Sequence, residues 1–191
     1  MASMDQKIYL YDKETFVLNA KAEKHNASIL FMDFSTDSQM IQSDSADQEH
    51  LNHNSNDGQH FGLPSQLKNV DWFTYTCTYG WPCQGIWPGK KDLGAPTPVS
   101  CNRSYDRRMI AVGESKGGVG LYNYPALSKT AKKRQELGHA GEVSNCRFSI
   151  DDETLVTVGK HDRGILVWKV KSAVVREGAA GEKKEGEEKK E

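Results

Sequence analysis

Four short apolar runs recur along this chain at a spacing that a repeating sheet would produce. They are Ile8 to Asp12 (IYLYD), His50 to Asn54 (HLNHN), Val119 to Asn123 (VGLYN) and Ile165 to Lys169 (ILVWK). The first two begin 42 residues apart and the last two 46 apart, while 69 residues separate the second from the third. A period near 40–45 residues with several short strands per unit marks a propeller blade, a small sheet that can bury its faces only against neighbouring blades. The spacing predicts an all-β, partial β-propeller of about three to four blades, with an insertion in the long interval. Units are expected at about 5–22, 23–60, 61–128 and 129–170.

The last unit shows the pattern most fully. Gly138-His139 opens it, and Val143 to Phe148 alternates apolar with polar residues as a half-buried strand does. Asp151 to Glu153 reads as a turn, Thr154 to Val158 as a second strand, His161 to Gly164 as a second turn. A third strand then ends in Trp168-Lys169, where repeats of the WD type often carry Trp-Asp. The unit before the insertion follows the same plan: Lys24-His25, a strand from Ile29 to Phe34, a turn at Ser35 to Ser38, a strand from Met40 to Ser43, then Asp47.

In a WD repeat a His ahead of the first strand bonds an Asp in the turn between the second and third strands. A hydroxyl and the Trp of the third strand extend that network and tie the strands together. The expected pairs are His25 with Asp47 and His139 with Asp162, separated by 22 and 23 residues. Ser43, four before Asp47, is the expected hydroxyl. The corresponding place before Asp162 holds Val158, which predicts a shortened network there, and His53 stands where Trp168 stands in the last unit. A catalytic His–Asp–Ser set is the competing reading, but the repeat already explains the spacing.

Composition narrows the function classes. A formal net charge of −1 does not provide the basic face that phosphate backbones need, so nucleic acid is not an expected partner. No apolar run of about 18 residues exists to span a bilayer, and MASMDQKIYLYDKE lacks the basic start and apolar stretch of a secretory leader. Cys77, Cys83, Cys101 and Cys146 show neither a CxxC pair nor disulfide-framework spacing, so free thiols in the cytosol are expected. From Lys171 to Glu191, six positive charges balance six negative ones around only Val174 and Val175. Such a segment buries too little apolar area to offset ordering, and a disordered tail over 171–191 is expected.

Other motifs carry weaker signals. Gly113 to Gly120 (GESKGGVG) superficially resembles a phosphate loop. It lacks the terminal Gly-Lys-Ser/Thr and the following helix, and it reads as a hairpin turn. His50, His53 and His60 offer imidazoles, but with no cysteine close in sequence and no tetrahedral spacing, a degenerate strand and polar loop are the simpler reading. No metal, cofactor or catalytic residue is expected, because no residue set supplies nucleophile, base and closed cleft together. Lys129, Lys132, Lys133 and Arg134 form a basic cluster, read either as a solvated strand or as a patch for acidic partners, with Arg103, Arg107 and Arg108 as an extension. Trp72, Trp81 and Trp87 with Tyr75 and Tyr79 are expected mainly in the core. Trp81 and Trp87, beside Pro82 and Pro88, are the candidates for an exposed anchor.

The insertion is the most specific stretch. Trp72-Phe-Thr-Tyr-Thr-Cys-Thr-Tyr-Gly80 is followed by Gly85-Ile-Trp-Pro88. This resembles the last propeller of the echinoderm microtubule-associated-protein-like family, with its W-x-T-Y-T-C-x-x-G run followed by G-[IV]-W-P. The likeness continues through Val99 to Asn102, Arg108 to Gly113, Val119 to Pro125, Gly138-His139 and Thr157 to Asp162, so it covers roughly residues 5 to 170. The resemblance implies a non-enzymatic scaffold of two tandem propellers, in the cytoplasm or on cytoskeletal microtubules (those of a cilium included), that binds tubulin or microtubule-bound proteins. A generic WD adaptor without tubulin contact is the alternative. The family's first propeller, coiled coil and basic linker have no counterpart in these residues. Another chain or a further segment is expected to complete the ring.

Overall fold

The computed structural model describes residues 1–89, 92–129 and 131–171. The tail expected over 171–191 lies, from residue 172 on, outside the described residues. Among the described residues, twelve strands form four antiparallel sheets in chain order: β1 (Ile8–Tyr11) with β2 (Leu18–Ala22); β3 (Ile29–Phe34), β4 (Met40–Ser45) and β5 (His50–Asn54); β6 (Pro98–Arg103), β7 (Met109–Glu114), β8 (Gly118–Asn123) and β9 (Lys133–Leu137); and β10 (Val143–Phe148), β11 (Thr154–Gly159) and β12 (Ile165–Lys169). This is the architecture of a partial propeller. Gly113 to Gly120 forms the hairpin between β7 and β8, as its chemistry predicts.

Side-chain alternation dictates how the sheets meet. On β7, Ile110 and Val112 point one way and Ala111 the other. The first pair joins a core with Trp72, Tyr75, Cys83, Ile86, Cys101 and Tyr122. Ala111 joins a second core with Val119, Val143, Cys146, Phe148 and Leu155, between the third and fourth sheets. A third core, Ile8, Leu10, Ala22, Ile29 and Ile41, joins the first two sheets. Each sheet thus buries apolar side chains against the next one or against the segment between them.

The sequence unit 129–170 is divided between sheets. Its first strand, β9, pairs with β8 from Tyr122↔Lys133 to Gly118↔Leu137 and completes the preceding sheet. The outer edge of β5 is partly covered too, since Asn54 N donates to Gln59 O at 2.9 Å and Phe61 N to Asn52 O at 2.7 Å. Along β1, residues 1–3 run back on the strand, with Tyr9 N donating to Met1 O at 2.8 Å. Among the described residues no strand pairs with the outer edge of β12, where Ile165 and Val167 are 67% and 70% exposed. An unpaired edge with outward-facing β-branched residues is a template for another strand.

The expected consequence is association: alone, the 191-residue chain sediments as a concentration-dependent oligomer or with a second chain on that edge. Ile165→Lys with Val167→Lys shifts it towards monomer. A wild-type chain that stays monomeric, folded and soluble across concentrations overturns this.

Candidate functional site

In the last sheet the expected residues converge. His139 Nδ1 lies 3.0 Å from Asp162 Oδ2 and His139 Nε2 lies 2.8 Å from Thr157 Oγ1. Trp168 Nε1 donates to the same Thr157 oxygen at 2.8 Å. The hydroxyl is therefore Thr157, not the place of Val158, and the network is unbroken. Counting back from the Asp misplaced it, because the β11–β12 turn is longer than its counterpart between β4 and β5. Strand phase is the better guide: Thr157 and Leu155 share a face with Trp168, which pairs with Leu155. Gly138 is glycine for a packing reason, since a Cβ there would stand 2.7 Å from the Trp168 ring. Asp162 also accepts from the backbone N–H groups of Gly164 and Ala140. Those two bonds, more than the imidazole, hold its carboxyl at about 2.

The earlier sheet is tied differently. His25 Nε2 lies 2.7 Å from Ser43 Oγ, the expected contact. Asp47 does not reach His25: in the tighter turn its carboxylate accepts from Ser45 Oγ at 2.5 Å. Glu49 faces the imidazole instead, at 3.6 Å from His25 Nδ1, longer than a hydrogen bond. His53 occupies the place of the indole but is too short to reach the hydroxyl, and neither of its buried nitrogens has a partner. It sits between His25 and His60, with ring centroids 5.9 and 5.7 Å away.

The insertion has a role that spacing did not reveal. Asp33 and Asp44, both buried, project from β3 and β4 towards it. Asp33 accepts from Thr74 Oγ1 (2.6 Å), Thr76 N (2.8 Å) and Cys77 N (3.2 Å), and from Gln42 Nε2 (3.0 Å). Asp44 accepts from the backbone of Thr78 and from Tyr79 N, and lies 2.6 Å from His50 Nδ1. One oxygen of each carboxylate, Oδ2, thus accepts from two consecutive backbone N–H groups, which a bent backbone can converge and an extended strand cannot. The segment is bent and forms no strand, with a single isolated bridge from Trp72 to Ser35. The one signal for this in sequence is Thr74, Thr76 and Thr78 alternating with Tyr75, Cys77 and Tyr79.

The partner-binding candidates separate. Lys133 bonds buried Glu114 at 2.6 Å, together with Gln135 at 2.7 Å, whereas Arg134 lies on the other face of β9, 3.6 Å from Glu136. Lys129 and Lys132 are exposed. Of the proposed extension, Arg103 is buried, donating to the carbonyls of Trp72 and Phe73, and Arg107 pairs with Asp71. Trp87 is structural: its Nε1 donates to Thr78 O at 2.7 Å and its ring stacks on Tyr79 at 4.8 Å. Trp81 is 43% exposed, carries the Lys68 ammonium 4.5 Å from its ring centroid, and lines a groove of about 550 Å³ with Trp72, Tyr79 and His50. Cys77 is fully buried, and burial first, then Asp44 and Asp33, pushes its thiol well up, which makes it a poor nucleophile.

Two measurements test the ties. Thr157→Val, nearly isosteric, strands His139 and the indole N–H and is expected to destabilise the fold by roughly 1–3 kcal/mol in urea denaturation; no loss means the network is idle. The second is acid titration of stability. Burial, then His25 and His60, lower His53 from 6.5 to about 4. The unfolded imidazole therefore binds its proton first, and stability falls as pH drops from 6.5 to about 4. Asp162 acts lower: its contribution is complete above 3.8 and is lost as pH falls through about 2. His53→Phe is expected to shrink the upper step and Asp162→Asn the lower; an upper step unchanged by His53→Phe overturns the assignment.

Residues 1–170 match the family described as the echinoderm microtubule-associated protein second beta-propeller. Echinoderm microtubule-associated protein-like 1 of Mus musculus is 30% identical over 183 residues, covering 89% of this chain and 21% of that protein. Echinoderm microtubule-associated protein-like 3 of Homo sapiens is 33% identical over 185 residues, covering 91% and 20%. The chain thus spans about a fifth of the length of these relatives. Among solved structures, the beta-propeller domain of Myceliophteria thermophila Cps50 (Swd1) superposes with a TM-score of 0.64 at 12% identity, over 91% of this chain and 63% of that one. The computationally designed Ika8 protein gives 0.55 at 17% identity, over 88% and 54%. The two structural likenesses bear on fold alone, while the match over residues 1–170, with the Trp72–Gly80 and Gly85–Pro88 runs built into the inter-sheet core, places this chain in the echinoderm microtubule-associated protein family, as part of its second β-propeller.

Proposed function

We propose that this chain is a non-enzymatic, microtubule-associated scaffold that binds tubulin or microtubule-bound proteins through its propeller surface. The observation that carries the reading is family membership over residues 1–170. Two features support the non-enzymatic part. The histidine–carboxylate–hydroxyl group at His139 is consumed in tying β11 and β12 to the start of the sheet. Cys77, the thiol that meets His50, is sealed in the interior. The relatives' names speak of microtubules; contact with acidic tubulin tails would use exposed cations, and Lys129, Lys132 and Arg134 are the members of the basic cluster free of a buried partner.

One observation favours the second reading, an adaptor without tubulin contact: the cluster is split across β9, with Lys133 committed to Glu114 and Arg134 beside Glu136. Co-sedimentation with microtubules separates the two. The wild-type chain is expected to pellet at low salt and to be released as salt rises. The triple variant Lys129→Glu, Lys132→Glu, Arg134→Glu is expected to lose most of that binding while keeping its melting temperature. If the wild type stays in the supernatant, the adaptor reading stands; if the variant pellets like wild type, the cluster is not the contact.

A further inference from the structure

The face of the second sheet that meets the insertion concentrates metal-ligating groups. Asp44 and His50 are directly opposite each other on β4 and β5, and their side chains touch at 2.6 Å. The insertion brings Cys77 to the same place, so that one ligand atom from each of the three lies within 4.8 Å of the others. Asp44 is 1% exposed and Cys77 fully buried, whereas His50 lines the groove beside Trp81. The cluster is closed on the protein side and open towards solvent through one imidazole. No cysteine stands close to the histidines in sequence, and the fold supplies one from 27 residues beyond His50.

Two further observations point to a cation. Asp33, buried against the same segment, is held only by neutral donors: Gln42, Thr74, Thr76 and the Cys77 amide. Two buried carboxylates therefore share this interface, and among the described residues His50 is the one basic side chain paired with either. Buried charge of this kind is ordinarily paired or bound to metal. The second is the Tyr75 hydroxyl, which is on a fully buried side chain and has no hydrogen-bond partner. It adjoins the cluster: a Cβ on Gly80 would stand 1.9 Å from that oxygen and 3.6 Å from His50 Cε1. An unpaired buried hydroxyl at this position is the partner that a metal-bound water takes.

We propose that Asp44, His50 and Cys77 form a binding site for a borderline-soft divalent ion, zinc above all, with its fourth position open to water at the groove. The mixed N, O and S donor set is zinc chemistry, and three protein ligands leave a tetrahedral ion one free position. Ligands about 2.0–2.3 Å from such an ion stand roughly 3.3–3.8 Å apart, so binding opens the Asp44–His50 contact by a fraction of an ångström and draws Cys77 inwards. The Cys77 proton leaves to solvent as the Zn–S bond forms, and the single proton of a neutral His50 ring moves to Nε2. Thiolate and carboxylate together then match the two charges of the ion.

The test uses the purified 191-residue chain, reduced and metal-free, with Co²⁺ as the probe and Zn²⁺ as competitor. One Co²⁺ per chain is expected, with a thiolate-to-cobalt charge-transfer band and the intense visible bands of tetrahedral cobalt, all erased by Zn²⁺. Cys77→Ser removes the charge-transfer band, and His50→Gln weakens binding by at least about tenfold. His60→Ala, at an exposed histidine, changes neither. Circular dichroism checks each fold; should Cys77→Ser fail to fold, His50→Gln at its half-buried position carries the test. A wild-type chain with no charge-transfer band, or His50→Gln binding as tightly as wild type, overturns the proposal.

Discussion

Two buried carboxylates on one sheet face are the constraint around which the middle of this molecule is organised. A propeller sheet normally offers an apolar face to the next sheet, and the first and second sheets do so through Ile8, Leu10, Ile29 and Ile41. The opposite face of the second sheet presents Asp33, Gln42 and Asp44 instead. A neighbouring sheet laid directly on those groups would leave them without donors, at a penalty of several kcal/mol for each unpaired buried charge. The chain meets this by sending an irregular segment between the second and third sheets. Its free amide and hydroxyl donors answer the carboxylates on one side, while Trp72, Tyr75 and Ile86 pack against Ile110 and Val112 on the other. The segment works as an adaptor between a polar face and an apolar one.

That arrangement explains what could and could not be read beforehand. The sheets β3–β5 and β10–β12 were legible because alternation and turn residues are local properties, and the 3-strand plan repeats within each. Membership of β9 in the preceding sheet was not, since pairing is decided by what lies beside β8 and not by where the repeat motif begins. The Thr157 hydroxyl was missed through counting, although the phase of β11 contained it. Asp33 and Asp44 were missed for a deeper reason. A lone Asp in a strand reads as solvent-facing unless its partner is known, and here the partners lie 34 to 44 residues further on.

The two strand-tying networks show how little a motif has to keep. In the last sheet Asp162, His139, Thr157 and Trp168 are all present and joined in that order by hydrogen bonds. In the second sheet the histidine–hydroxyl contact survives, the Asp is captured by its own turn, and the indole is replaced by an imidazole with no partner. The first contact couples the segment ahead of the sheet to its middle strand, and it persists in both. The others add to it, and a short turn or a smaller ring removes them while the sheet keeps its apolar core on one face and its carboxylate-held segment on the other.

A signature that is structural redirects the search for function. The Trp72–Gly80 run that marks the family is buried at Trp72 and from Tyr75 to Thr78, while Phe73 is 73% exposed. Partners cannot reach its interior members, Tyr75 to Thr78. What remains accessible is the rim around that plug: Trp81 with Lys68 on its ring, the groove ending at His50, and the outer strand β9 with its divided charges. Specificity within a family sharing this core must therefore be written in residues that the core does not dictate, since a surface position is free to vary only where no buried group depends on it. Lys133 illustrates the distinction: it looks like a surface cation in sequence, yet Glu114 beneath it makes that residue part of the framework and leaves recognition to its neighbours.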